Sequence, residues 1–283
     1  MMKFYKNLYE RVYNKTTTIN KWASDKWFSS SAEQMKILFV VGTGRSGTHF
    51  LTRCLLGNPD VVDRMGGHED PTVFSLITNS VLCPNTAPEN LIAAKYLYMK
   101  YCEASGSRYF VDQSHPNIWH VEYWASIFPH ATFLGIQRCP YSVVASMLKH
   151  DGVRRWVEEW EKFPLPNRLL GVNEGNKEHY QKMTLTERCA LRWICHYIRL
   201  GEITKAMPSS VCLIEYEKLC RSPDVVLQGV AKHVGLPFNF GDIKVDLAPL
   251  HKNKSLDSAQ VDSIHKMLID YGIEDKWKHK LQS

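Results

Sequence analysis

Residues 42–48, with the sequence GTGRSGT, combine residue types that can hold an anion. The apolar run ILFVV precedes them and THFLTRCLL follows, a pattern typical of a buried strand that turns into a helix. The first N–H groups of a helix have no partner inside the helix, and the helix dipole adds positive charge at the same end. The loop is therefore predicted to hold a phosphate or sulfate group.

The cation of this loop stands in an unusual place. In a nucleotide-binding loop of the Walker A type, Lys directly follows the last glycine. Here Thr48 and His49 follow Gly47, and the cation, Arg45, precedes it. The stretch is therefore an imperfect Walker A loop.

A second strand and helix carry a matching pair of residues. Arg138 comes at the end of the apolar run ATFLGIQ, and Ser146 follows eight positions later, in the next predicted helix. A cation at a strand end and a hydroxyl on the adjoining helix can bind a second phosphate that the first loop does not reach.

The elements that must position these residues alternate along the chain. Predicted strands ILFVV, RYFVD, ATFLGIQ and SVCLIEYEKL are separated by predicted helices. This alternation predicts an α/β fold, a three-layer sandwich whose central parallel sheet is covered by helices on both faces. Ligands of such sheets bind beyond the carboxyl ends of the strands, so the loops GTGRSGT, GGHEDP, DQSHP and QRCP should gather there.

Composition narrows the functional classes. The chain has 283 residues, 44% of them hydrophobic, and we assign 36–283 to one large domain and 1–35 to an N-terminal extension. The formal net charge is +6, but Lys and Arg are scattered, without a basic helix. This distribution favours a small polyanionic ligand and no nucleic-acid partner.

Cysteine usage and hydropathy predict the compartment. The eight cysteines include no CxxC pair and no Cys/His cluster at zinc-ligand spacing, which indicates unpaired thiols in a reduced compartment. The chain starts without an apolar signal region, and no window approaches the length of a membrane span. We therefore expect a soluble cytoplasmic protein with no transmembrane segment and no metal.

Together, GTGRSGT and R-x-P-x-x-V-V-A-S resemble the two nucleotide-binding signatures of the sulfotransferase family, which uses 3'-phosphoadenosine 5'-phosphosulfate (PAPS). The resemblance covers most of residues 37–273, because LIEYEKLCRSPDVVLQGVAKHVGLPF also resembles a later strand and helix of that family. It implies a P-loop-NTPase-like fold and transfer of a sulfuryl group to a hydroxyl or an amine of an acceptor.

The resemblance also implies roles for individual residues. Those assigned to the 5'-phosphosulfate are Gly44, Arg45, Ser46, Gly47, Thr48 and His49. Arg138 and Ser146 would hold the 3'-phosphate, and Phe50 and Tyr216 could contact the adenine. Cys139 departs from the family pattern, which commonly has Asp there, and His49 stands where Thr is common.

Sulfuryl transfer needs alignment of the reacting atoms, charge stabilisation on the leaving phosphate and a base for the proton of the acceptor. Arg45 and the N–H groups of the loop supply the charge stabilisation. Glu69, in GGHEDP, occupies the region where carbohydrate and tyrosyl-protein sulfotransferases place a catalytic Glu before Pro, although Asp70 intervenes here.

The second candidate base is His115, in VDQSHP, which resembles the histidine of the cytosolic small-molecule branch. Gln113 replaces the Lys of that branch's motif. We favour Glu69 over His115, with His68 third.

Other interpretations stay open at this stage. Glu69 could instead cap a helix that begins near Pro71, since acids and Pro favour the first turn. The alternative enzyme is a P-loop kinase or nucleotide hydrolase, with Asp112 as the candidate magnesium ligand. A catalytically inactive nucleotide-binding protein on the same scaffold is a third interpretation, because Gln113 and Asp70 depart from the family motifs.

Three further patterns concern the surroundings of the site. The long predicted helix with Arg188, Arg192 and Arg199 is interpreted as a solvated or partner-facing surface, although the first two could face the cleft. Trp156 and Trp160 have helical spacing, which predicts packing. Residues 153–176 have the composition of an inserted lid, and the acceptor could be a sugar, a lipid, a small alcohol or a peptide Tyr. The oligomeric state is not predicted.

Overall fold

The computed structural model describes residues 35–106 and 108–278. Its centre is one sheet of five parallel strands, in the order β2-β3-β1-β4-β5. The strands are β1 (Ile37–Gly42), β2 (Val61–Val62), β3 (Tyr109–Asp112), β4 (Thr132–Gln137) and β5 (Val211–Glu215). The predicted α/β fold with a central parallel sheet is confirmed. The proposed extension, residues 1–35, lies outside the described residues except for Met35.

Helices follow or separate the strands. They are α1 (Thr48–Leu55), α2 (Pro71–Leu82), α3 (Ala87–Ser105), α4 (Val121–Ile127), α5 (Pro140–Leu148), α6 (Asp151–Glu158), α7 (Lys177–Lys182), α8 (Leu185–Ala206), α9 (Tyr216–Arg221), α10 (Pro223–Val234) and α11 (Ser258–Asp270). Short 3-10 helices lie at Pro84–Thr86, His115–Trp119, Trp160–Lys162 and Ala248–Ser255.

The central strand β1 shows why the sheet is covered on both faces. Its residues are all buried, and successive side chains point to opposite faces. Phe39 packs on one face with Phe133 and Trp124, while Leu38 lies in a second apolar cluster on the other face with Leu51. A strand that is apolar on both faces requires helices on both, which gives the three layers.

The segment interpreted as an inserted lid is part of the core. Val157, Leu170 and Val172 are buried in a cluster with Tyr180 and Trp193 of the following helices. These side chains attach residues 153–176 to α8. The lid interpretation stays a prediction.

The ends of two elements are defined by the structure: the end of β5 and the start of α8. The strand predicted over SVCLIEYEKL ends at Glu215, and a short helix begins at Tyr216. Thr184 and Glu187 form a capping box at the start of α8, which fixes where this long helix begins. Among the helices of the described residues, none is long and apolar enough to cross a membrane.

Candidate active site

The loop between β1 and α1 has a backbone that depends on small residues. Gly47 has a φ of 105°, and Arg45 also adopts a positive φ, 77°. A Cβ at Gly47 would lie 2.2 Å from Cδ2 of Tyr216, and a Cβ at Gly44 would lie 2.8 Å from Nε2 of His115. Glycine therefore allows the loop to pass close to both side chains.

The first turn of α1 supplies hydrogen-bond donors. Gly47 is the N-cap and makes no side-chain capping bond, so the N–H groups of Thr48, His49 and Phe50 have no partner within the helix. The Ser46 hydroxyl is used inside the loop, where it donates to the backbone oxygen of Thr43. The structure thus assigns Ser46 a part in the shape of the loop.

Arg138 is fixed between the two loops. It directly follows β4 and is 3% exposed. Its Nη1 donates to the backbone oxygen of Arg45 at 3.1 Å, and its Nη2 donates to the backbone oxygen of Pro249. The guanidinium carbon lies 4.3 Å from the ring centroid of Tyr216, a cation–π contact.

Arg45 and Lys252 both approach Ser146. Arg45 Nε donates to Ser146 Oγ at 3.2 Å, and Lys252 Nζ lies 3.5 Å from the same hydroxyl. Burial, and then repulsion by Arg138, lower the pKa of both Arg45 and Lys252. Across residues 35–106 and 108–278, no carboxylate forms an ion pair with any of these three cations. Their charge is therefore available to an anionic ligand.

These groups border a cavity of about 470 Å³. The residues predicted from the sequence that line it are Gly44, Arg45, Gly47, Thr48, His49, Phe50, Glu69, His115, Arg138, Ser146 and Tyr216. Ser46 is buried behind the loop, and His68 is exposed and outside the lining. The fold thus brings together the two loops and both favoured candidate bases.

Asp70, not Glu69, caps helix α2. Asp70 Oδ1 accepts hydrogen bonds from the N–H groups of Thr72 and Val73, at 2.9 and 3.2 Å, and Oδ2 accepts one from the Tyr101 hydroxyl. The interpretation of Glu69 as the cap is therefore wrong. The Glu69 carboxylate lines the cavity instead, with Oε1 3.6 Å from Nε2 of His49.

His115 lines the cavity as a neutral imidazole. It is 6% exposed, and burial, followed by the charge of Arg192, holds its pKa well below its usual range. Its Nδ1 has no hydrogen-bond partner among the described residues, and its Nε2 faces Gly44. The depressed pKa keeps this imidazole unprotonated at physiological pH and also makes it a weaker base than an ordinary histidine.

Asp112 is committed to a buried network. Its oxygens accept hydrogen bonds, each 3.0 Å long, from the backbone and hydroxyl of Ser114, from Asn117 Nδ2 and from the Tyr98 hydroxyl. Burial raises the pKa of Asp112 to about 6. It does not line the cavity, so it is poorly placed as the magnesium ligand of a kinase, and this alternative is not favoured.

Sequence reasoning missed several lining residues. Lys252 lies 106 positions beyond Ser146, and no local pattern connects them. His150, Phe74 and Trp156 border the cavity on the side of α2 and α6, where the two aromatic rings stack with centroids 6.5 Å apart. The interpretation of Trp156 as packing alone is thus incomplete.

The three arginines of α8 have different surroundings. Arg192 is 0% exposed, and its Nη2 lies 3.4 Å from the position that a Cβ at Gly44 would occupy. Arg188 donates to the backbone oxygens of residues 180 and 181, and Arg199 donates to that of residue 118 and pairs with Glu122. The surface interpretation is wrong for Arg192, which α8 turns toward the first loop, as the alternative orientation allowed, whereas Arg188 and Arg199 are partly exposed.

The sequence of this chain is similar to a known protein family and to a curated protein. The profile described as "Sulfotransferase family" matches residues 38–240. Nodulation protein NoeE of Sinorhizobium fredii is 29% identical over 136 residues, and the match covers 41% of this chain and 32% of NoeE, about a third of its length.

Two solved structures share the fold. The sulfotransferase domain from the curacin biosynthetic pathway aligns with a TM-score of 0.54 and 15% identity, covering 86% of this chain and 99% of that domain. The sulfotransferase domain from the Synechococcus PCC 7002 olefin synthase aligns with a TM-score of 0.52 and 14% identity, covering 86% and 96%.

Proposed function

Because the chain belongs to the sulfotransferase family, we propose that it transfers a sulfuryl group from PAPS to a hydroxyl, or less commonly an amine, of an acceptor. The observation that carries this proposal is one cavity lined by Arg45, Arg138 and Lys252 beside the first turn of α1. Arg45 and Lys252 approach the Ser146 hydroxyl, and Arg138 donates to the backbone oxygen of Arg45. Such a site suits a ligand with two separate anionic groups. PAPS has two, its 5'-phosphosulfate and its 3'-phosphate.

The two anionic groups of PAPS would occupy different parts of the site. The first turn of α1 offers backbone N–H groups and the positive end of a helix dipole to the 5'-phosphosulfate, with Arg45 beside them. Arg138, Ser146 and Lys252 would bind the 3'-phosphate. Phe50 lines the cavity and would contact the adenine, while Tyr216 packs between Gly47 and Arg138 and positions that guanidinium.

The transfer needs one bond to form and one to break. The acceptor oxygen bonds to sulfur while the bond from sulfur to the bridging oxygen of the 5'-phosphate breaks, and 3'-phosphoadenosine 5'-phosphate (PAP) leaves with the electron pair. Arg45 and the α1 N–H groups offset the charge that gathers on the leaving phosphate. Alignment of the three atoms supplies much of the remaining rate enhancement.

We assign the base to Glu69. Its carboxylate lines the cavity and is not used as a helix cap, so it can accept the proton that the acceptor loses on attack. His115 is the second candidate, because it is neutral and borders the same cavity. The position of His68 outside the lining gives it no support as a base.

The acceptor would enter on the side of α2 and α6. Phe74, Val153 and Trp156 give this part of the lining an apolar character, and His150 adds a polar group. An acceptor with an apolar or ring-shaped body next to its hydroxyl fits these side chains.

Calorimetric titration of the purified protein with PAP, and separately with ADP and Mg²⁺, tests the proposal. We expect binding of PAP alone, weakened at least tenfold in Arg138→Ala, because that variant loses a charge-assisted contact to the 3'-phosphate. Arg108→Ala is the matched control, since Arg108 is exposed near the opposite end of the sheet.

The other outcomes separate the alternatives. Binding of ADP with Mg²⁺, or of neither nucleotide, would contradict the proposal and, in the first case, favour a kinase. Binding of PAP without turnover of PAPS in a screen of sugars, alcohols, phenols and amines would identify an inactive nucleotide-binding protein.

A further inference from the structure

Arg192 is a buried cation with no hydrogen-bond acceptor among residues 35–106 and 108–278. It is 0% exposed, and its Nε, Nη1 and Nη2 atoms make no hydrogen bond with the described residues. No carboxylate of that part of the chain forms an ion pair with it. Its guanidinium carbon lies 5.5 Å from the centroid of the Trp156 ring, a cation–π contact.

An arrangement of this kind is costly in the unliganded protein. Burial lowers the pKa of Arg192 to about 10, so the guanidinium stays charged at neutral pH. A buried charge without a partner is among the least favourable groups in a protein interior. The five N–H donors of the Arg192 guanidinium can form paired hydrogen bonds with the oxygens of a tetrahedral anion. The cost is explained if an anionic ligand supplies the missing acceptor.

The surroundings of Arg192 indicate where that anion binds. Its Nη2 lies 3.4 Å from the position of a Cβ on Gly44, and His115 Nε2 lies 2.8 Å from the same position. Gly44, His115 and Trp156 all line the cavity, and Arg192 stands directly behind them. Of the cations assigned to the 3'-phosphate, Lys252 lies 3.5 Å from the Ser146 hydroxyl, and Arg138 donates to the backbone oxygens of Arg45 and Pro249. Arg192 has none of these contacts, so we treat it separately from that group.

We propose that Arg192 binds the oxygens of the transferred sulfuryl group. This inference rests on the proposed function and extends it, because it adds a cation at the group that moves rather than at the nucleotide that stays. Arg192 pairs with the sulfonate oxygens of PAPS at Gly44 and withdraws charge from them, so the sulfur becomes a better target for the acceptor oxygen. PAP lacks the sulfuryl group and makes no use of this contact.

The test compares the dissociation constants of PAPS and PAP, measured by calorimetry without acceptor, in wild type and Arg192→Met. Methionine fills similar space without charge. We expect PAP affinity to stay within about twofold and PAPS affinity to fall ten- to a hundredfold, the usual range for one charge-assisted contact. The unliganded variant should melt no lower than wild type, since an unpaired buried charge is removed.

Arg188→Met is the matched control, because Arg188 lies one turn earlier on α8 and donates to backbone oxygens of residues 180 and 181. It should leave the ratio of PAPS to PAP affinity unchanged. If Arg192→Met does not fold, Arg192→Lys is measured in its place. Lysine keeps the positive charge but lacks the two parallel N–H donors of arginine, so we again expect a selective loss of PAPS affinity.

Two results would overturn the inference. Equal weakening of PAPS and PAP would give Arg192 a structural role, and no weakening of either would leave it without a role in binding. In both cases the wild type still binds PAP, so the proposed function stands. A wild type that binds neither nucleotide would instead contradict the proposed function itself.

Discussion

Arg45 Nε donates a hydrogen bond to Ser146 Oγ at 3.2 Å, although 101 positions separate the two residues. One follows the central strand β1, and the other lies on the helix after the neighbouring strand β4. The contact joins the loop after β1 to the helix after β4. The two halves of the proposed nucleotide site are therefore linked by a direct hydrogen bond.

The hydroxyl at this junction should matter for the nucleotide. We predict that Ser146→Ala weakens PAP binding about tenfold, because a hydrogen bond to a charged phosphate is lost and Arg45 and Lys252 lose a shared partner. Calorimetry measures the change. Ser142→Ala is the control, since Ser142 lies one turn earlier on α5, outside the cavity lining, and should bind PAP as wild type does.

Neighbouring acids should have separable roles. We predict that Glu69→Gln lowers the rate of sulfuryl transfer by about a hundredfold or more, as expected for loss of a general base, and leaves the free energy of unfolding nearly unchanged. Asp70→Ala should instead lower that free energy by about 1 kcal/mol, because it removes the cap of α2. PAPS turnover and urea unfolding measure the two effects.

The same assays decide between the two candidate bases. His115→Ala should retain more activity than Glu69→Gln if Glu69 is the base. Full activity of the Glu69 variant together with an inactive His115 variant would assign the role of base to the histidine. Because the pKa of His115 is depressed, the rate of transfer should then not change as the pH falls from 7.5 to 6.5.

The close approach of Tyr216 to Gly47 should make this glycine irreplaceable. We predict that Gly47→Ala lowers the free energy of unfolding by more than 1 kcal/mol, because the new methyl group would lie 2.2 Å from the Tyr216 ring at a φ of 105°. PAP binding should weaken as the loop shifts.

Gly229→Ala provides the opposite case. Gly229 lies inside α10, and a Cβ there would meet no atom within 4 Å, so the substitution should raise the free energy of unfolding by up to about 1 kcal/mol. Urea unfolding distinguishes the two variants. Equal behaviour of both would contradict the packing described for the loop.

Buried histidines should make the protein sensitive to acid. Burial, the largest cause, lowers the pKa of His120 to about 4 and of His196 to about 3, from an unperturbed value of 6.5. A histidine with a depressed pKa stabilises the fold above pH 6.5, and this stability is lost as the pH falls toward the folded-state value. Between pH 7.5 and 5, each should cost about 2 kcal/mol.

Urea unfolding at these two pH values measures the loss. His120→Gln should show a smaller difference between them than wild type, because the variant no longer takes up that proton on unfolding. The control is His130→Gln, at an exposed position. An unchanged difference in the His120 variant would contradict the assignment.

Much of the fold was readable from the sequence because strand and helix patterns are local. The runs at β1, β3, β4 and β5 predict buried parallel strands, and the structure has a strand at each of them. The packing of residues 153–176 could not be predicted in this way: the prolines of this segment are visible locally, whereas the apolar cluster that holds Leu170 and Val172 is assembled from distant helices.

The sequence by itself indicated the family and predicted the two loops of the site, because a glycine-rich turn and the spacing between a cation and a hydroxyl are local patterns. Only the tertiary structure decided that Asp70 rather than Glu69 caps α2, that Lys252 joins Ser146, and that Arg192 is buried behind Gly44. Each of these depends on contacts between residues far apart in the chain or on a choice between adjacent side chains. Burial and charge at such positions are set by packing, which no local pattern records.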